Sequence, residues 1–201
     1  MEGTVGRLSA FLISAFALAA TSRLAHAGVI IDVTEAAGNV TFSITGSLNL
    51  TGAASAGGYS SYGLGFIPGG SNWYIATGGG GSVSAYALTS FAGAFGTSLT
   101  YFSTPSSTSG DNFFIWGQSG ATEQVGLPVG YVSGSAINSG MIFNSATIAG
   151  FTMTPGTYLY ALPNDTITLN IGAASGVPEP GTFALIGFGL AGLAALRRRQ
   201  R

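Results

Sequence analysis

The chain has 201 residues, no cysteine, and only 6% charged residues, far below the roughly 25% of an ordinary soluble domain; disulfides, thiolate metal sites and cysteine catalysis are excluded together. A hydrophobic share of 46% argues for a packed core rather than disorder. All the basic residues lie at the ends (Arg7 and Arg23; Arg197, Arg198, Arg199 and Arg201), while residues 28–177 hold Asp32, Glu35, Asp111, Glu123 and Asp165 with no cation, a formal charge of −5, so this region cannot neutralise phosphates and no nucleic acid is expected as a partner.

Residues 1–27 read as a secretory signal peptide. Arg7 supplies the positive n-region, diluted by Glu2, and residues 8–20 are a 13-residue apolar run. Ala25-His26-Ala27 ends it with the small residues that a signal peptidase pocket accepts, which places cleavage after Ala27. The alternative is an uncleaved anchor. The run is shorter than the roughly 20 residues that span a bilayer, which favours cleavage.

From residue 28 to 176 the pattern is that of strands. Residues 29–33 are a short strand candidate. Residues 40–50 alternate, with Val40, Phe42, Ile44 and Leu48 in one phase, as a strand with one buried face requires. Shorter candidates follow at 73–76, 83–88, 99–102, 113–116, 141–148 and 157–161, and residues 166–171 alternate again. Four glycines at 78–81, the Ser/Thr-rich stretch 103–110 and Pro163-Asn164-Asp165 supply loops and turns. No segment sustains a 3.6-residue period. About 150 residues suffice for one domain with its own core, so we expect a single, all-β, antiparallel β-sandwich, jelly-roll-like in arrangement.

Residues 177–201 differ in kind. Pro178-Glu179-Pro180 forbids helix and presents an extended peptide. An uncharged run follows, predicted as a transmembrane helix over about 182–196 and giving about 24 Å of rise when counted from Gly181, a length that snorkelling arginines can extend. The cluster Arg197, Arg198, Arg199 and Arg201 then stops translocation, because moving each charge against 100 mV costs about 2.3 kcal/mol. By the positive-inside rule this end stays cytoplasmic and residues 28–176 lie outside. The alternative, a buried core helix with a basic cap, fits poorly with so many bare arginines at a chain end. Gly187, Gly189 and Gly192 leave room for close packing on a partner helix, or are simply the glycines common in membrane helices.

This order of proline–glutamate–proline, apolar helix and arginine cluster resembles the PEP-CTERM sorting signal over 177–201. The resemblance implies recognition at Pro178, Glu179 and Pro180 by an exosortase, transient retention in the inner membrane, cleavage near the motif and release to the cell surface. It further implies a host that secretes exopolysaccharide. The segment 152–171 also resembles the closing hairpin of a common type of PEP-CTERM surface domain.

Catalytic chemistry is scarce. His26, the sole histidine, leaves with the signal peptide, so the mature region holds no His, Cys, Lys or Arg and neither a Ser/His/Asp triad nor a lysine nucleophile can form. A carboxylate pair, Asp111 and Glu123, would be the only route to glycoside hydrolysis, although both read more simply as turn and loop charges. No metal site and no cofactor are expected, since Asp32, Glu35 and Asp165 are not spaced as a hard-cation loop. Trp73, Tyr74, Tyr86 and Trp116 are candidate sugar-stacking rings with Asn72, Asp111, Asn112 and Gln118 as hydrogen-bonding partners, set against the simpler reading that such rings fill a core. Asn39, Asn49 and Asn164 stand in glycosylation sequons, which arise often by chance in a chain this rich in Ser and Thr. The reading that results is a non-enzymatic surface or matrix protein; the rivals are a carbohydrate-binding module of the same exopolysaccharide and, behind it, a carboxylate-dependent glycosidase.

Overall fold

The computed structural model describes residues 28–172; the signal peptide expected at 1–27 and the sorting signal expected at 177–201, with its membrane helix, lie outside the described residues. Strands β1 (Val29–Ala36) and β2 (Asn39–Ser47) form the first hairpin. Successive side chains of a strand point to opposite faces, so Val29, Ile31 and Val33 on β1 and Val40, Phe42 and Ile44 on β2 all enter the core. The turn between them is Ala37-Gly38, both at positive φ (51° and 75°), the conformation that matches the right-handed twist of the flanking strands.

Eleven strands follow: β3 (Ser55–Tyr59), β4 (Gly65–Ile67), β5 (Asn72–Thr77), β6 (Val83–Ala87), β7 (Ser90–Phe91), β8 (Ser107–Gly110), β9 (Phe113–Gln118), β10 (Gln124–Pro128), β11 (Ala136–Asn144), β12 (Gly156–Leu162) and β13 (Asp165–Ile171). They form two sheets, one of seven strands in the order β7-β12-β13-β1-β2-β11-β8 and one of six in the order β3-β6-β10-β9-β5-β4. The inner faces share one core in which Phe42, Ile44 and Leu169 of the first sheet meet Phe66, Ile75 and Ile115 of the second. The all-β expectation holds for the described residues. Among them no helix is long and apolar enough to cross a membrane.

Antiparallel pairing throughout is not what the structure shows. The first and last strands, β1 and β13, run parallel, with Val29 opposite Ile167 and Val33 opposite Ile171. Parallel neighbours need a long crossover, and here the crossover is the rest of the domain. Thirteen strands with one parallel pair also depart from the eight-stranded antiparallel jelly roll.

Three local expectations change for physical reasons. Residues 99–102 do not form a strand: Leu99 and Tyr101 are exposed, and only Phe102 makes a backbone bridge, exchanging N–H···O bonds with Phe66 (2.9 and 3.1 Å). Part of the expected loop 103–110 is strand β8, recruited by the free edge of β11 rather than by burial, since its residues are Ser-Thr-Ser-Gly. The strand expected over 141–148 starts earlier, at Ala136, and stops at Asn144, where Ser145 takes a positive φ of 52°.

Candidate functional site

The outer face of the six-stranded sheet is where the structure departs most from a simple sandwich. An antiparallel sheet with one face on the core ordinarily presents polar residues on the other. In β9 the inner positions are Phe113 and Ile115, yet the outer ones are Phe114 and Trp116. Tyr74 and Ala76 of β5 pair beside them, Tyr74 opposite Trp116 and Ala76 opposite Phe114. On the other side Gly126 of β10 stands opposite Phe114. A Cβ at Gly126 would lie 2.2 to 2.7 Å from the Phe114 ring, so glycine is what lets that ring lie flat across the next strand.

A short strap, residues 59–64, crosses this face and is tied down by tyrosine hydroxyls. Tyr62 donates to the Thr77 carbonyl (2.5 Å) and accepts from the Phe113 N–H (3.1 Å). Tyr74 donates to Gly63 O (2.6 Å) and Tyr101 to Leu64 O (2.9 Å). Between strap and sheet, Tyr59, Ser61, Tyr62, Tyr74, Phe114 and Trp116 line an open groove of about 270 Å³. Its rings are held in place: Trp116 Nε1 donates to Asn72 Oδ1 (2.9 Å) and Tyr59 OH to Gln124 Oε1 (3.0 Å). Two other hollows, one along Ser43, Ser109 and Gly140 (about 220 Å³) and one beside Glu35, Pro155 and Gly172 (about 340 Å³), offer no exposed aromatic ring.

Burial of these phenols alters their titration. Burial pushes Tyr62 up to about 12 against the opposing N–H of Phe113, and raises Tyr74, whose neighbours Tyr101 and Tyr62 add to the effect. Tyr101, Tyr131 and Tyr160 are raised by burial as well. A raised phenol is protonated in the fold more firmly than in the unfolded chain, so its contribution is complete below pH 10 and is lost as pH climbs through the folded value. Guanidinium unfolding is therefore expected to shift to lower denaturant between pH 10 and about 12. Tyrosinate absorbance of the folded protein should lag behind that of the denatured chain over the same range; superimposable curves would contradict the burial.

The residues singled out in the sequence divide. Trp116 and Tyr74 lie in the groove, with Asn72 bonded to Trp116. Trp73, one residue along β5, points the other way: it is 4% exposed and packs on Tyr160 at 4.9 Å between centroids. Tyr86 likewise packs against the main core. Asp111 is turned to the other sheet, its Oδ2 accepting from Asn138 N (2.8 Å), and Asn112 fastens the glycine turn through Gly79 N (2.9 Å). Gln118 is exposed at the end of β9. Tyr59, Tyr62, Phe114 and Gln124 were not singled out. The signal was present in the alternation Phe114-Ile115-Trp116, whose outer phase becomes visible only once β9 is known to lie between β5 and β10.

The Asp111/Glu123 pair is not brought together. Gln124 stands opposite Trp116, which sets Glu123 beside Gly117, six residues along from Asp111, roughly 20 Å at about 3.3 Å per residue. Glycosidase carboxyls lie about 5 to 10 Å apart. Four of the carboxylates instead hold the fold. Asp165 accepts from Asn49 N (2.7 Å), Glu35 from Ile148 N (2.8 Å), Asp111 as above, and Asp32 from Asn170 Nδ2 (3.0 Å). Among the described residues no three metal-ligating side chains cluster.

No curated protein and no solved structure matches the chain. One family model does, that of the PEP-CTERM protein-sorting motif, over residues 176–199. The match implies an exported protein that an exosortase recognises and sorts to the surface. The chain thus carries a PEP-CTERM protein-sorting motif at its C-terminus, four residues beyond the last described residue of its β-sandwich.

Proposed function

We propose that this protein is a non-enzymatic component of an exopolysaccharide matrix or biofilm, delivered to the cell surface in two processing steps. The sorting motif at residues 176–199 carries the reading. Signal peptidase acts after Ala27; the inner membrane then holds the chain through its C-terminal apolar run, with Arg197, Arg198, Arg199 and Arg201 on the cytoplasmic side. The exosortase cuts near Pro178-Glu179-Pro180 and frees the domain. A structural role is supported by the use of four carboxylates as loop fasteners, and by a described region without Lys, Arg or His. The groove beside Trp116 favours a second reading, a carbohydrate-binding module of the same matrix.

Intact mass of the protein recovered from membrane and surface, with and without the host's exosortase, tests the proposal. A surface species running from Gly28 to near Pro178 is expected only when the enzyme is present. A species that retains Arg201 in both strains would mean a permanent anchor and would end the sorting scheme.

A further inference from the structure

We propose that the groove on the outer face of the six-stranded sheet is a binding site for an uncharged glycan, with Trp116 as its stacking platform and the side-chain amide of Asn72, bonded to Trp116, as a hydrogen-bond donor beside it. An aromatic groove left open beside a short strap marks a site of interaction. The rings here are not loose surface residues. Trp116 is tethered through Nε1 to Asn72, Tyr59 through its hydroxyl to Gln124, and Tyr74 to the strap at Gly63. A ligand therefore meets rings that are already oriented, so little side-chain entropy is lost on binding.

The chemistry of the rim selects among ligands. The Trp116 tether uses the side-chain oxygen of Asn72, and the side-chain nitrogen of Asn72 has no hydrogen-bond partner among the described residues. A donor beside flat apolar rings suits a sugar, whose C–H face packs on an indole or phenol while its hydroxyls accept from the amide. Charge excludes the other classes. No Lys, Arg or His occurs between residues 28 and 172, against five carboxylates, so a phosphorylated or uronic-acid polymer would be repelled. A nucleobase would find the stacking rings without the cationic groove that its backbone requires. A groove of about 270 Å³ has room for a small part of a chain, so a single contact is weak and retention on a polymer comes from rebinding along it.

This site rests on the matrix reading for where the polymer is met, but its geometry does not depend on sorting. The test accordingly uses the full chain, solubilised in detergent from cells without an exosortase, run in native gels cast with hydroxyethylcellulose, galactomannan or dextran. Carboxymethylcellulose, an anionic version of the same β-glucan backbone, is the control. At least one neutral polymer is expected to slow the protein, hydroxyethylcellulose more than carboxymethylcellulose, and Trp116→Ala to weaken the retardation roughly tenfold. Emission from Trp73, the only other tryptophan and a buried one, reports whether that variant is folded. If it is not, Tyr59→Ala, at a ring already 39% exposed, is expected to show the same loss. Mobility unchanged by all three neutral polymers, retardation that survives in a folded variant, or stronger retardation by carboxymethylcellulose would overturn the site. So would slowing that depends on protein concentration and not on polymer, which would make the groove a contact between copies of this chain. None of these results bears on the C-terminal processing, which the mass measurement decides.

Discussion

A chain terminated after Asn164 is expected to remain unfolded at room temperature, whereas one terminated after Gly172 keeps the cooperative unfolding of the intact domain. The difference is β13, Asp165–Ile171. Although last in the chain, it lies inside its sheet, antiparallel to β12 on one side and parallel to β1 on the other. Ile167, Leu169 and Ile171 are almost wholly buried, and each such side chain contributes about 1.5–3 kcal/mol. Its removal also strips hydrogen-bond partners from two strands and opens Val29, Ile31, Val33 and Tyr160 to water. Together these losses exceed the roughly 5–15 kcal/mol by which a domain is stable. Circular dichroism during a urea titration decides the matter: a cooperative transition in the Asn164 stop would refute the central role of β13. The same geometry suits the processing scheme. The proposed cut near Pro178 would fall beyond Gly172 and leave β13 intact, so a released domain would keep its core.

Much of this could be read before the structure, and the limits have physical causes. Alternation exposed β2 and β13 because each has one face in the core and one in water. It could not reveal β10, where Gln124, Val125, Gly126 and Leu127 are all buried, because a strand covered on both faces has no period of two to detect. Nor could it reveal β8, whose Ser-Thr-Ser-Gly is a strand only because β11 offers it an edge. The groove suffered from the same blindness. Trp73 and Trp116 look alike in the sequence, and which of them faces solvent depends on the parity of each strand against its neighbours. One register pairs Tyr74 with Trp116 and sends Trp73 inward to Tyr160. The C-terminal sorting motif was legible because it is carried by the linear order of its residues and not by their packing.

Phe66→Ala is expected to lower stability by about 3–5 kcal/mol, the range for removing a buried aromatic ring. Phe66 is fully buried and touches four other rings: Phe42 at 5.0 Å, Phe102 at 4.9 Å, Phe143 at 5.3 Å and Phe151 at 4.9 Å between centroids. Those partners come from two strands of the facing seven-stranded sheet and from two loops, so no single backbone shift can close the void left by the ring. For a domain of this size the melting temperature should fall by roughly 10 °C or more. Phe66→Leu, which keeps most of the volume, should cost clearly less. The consequence reaches the groove. Phe66 and Phe102 exchange backbone hydrogen bonds, and Tyr101, next to Phe102, holds the strap at Leu64. With the ring gone, Phe102 loses its stacking partner and Tyr101 its anchor, so amide hydrogens of the strap should exchange faster than those of β1 and β13. Weaker retention on a neutral polymer should accompany that exchange in protein that is still folded. If the strap exchanges no faster than in the parent protein, the route from Phe66 through Phe102 to the groove is broken, and the stability loss would then be purely one of core packing.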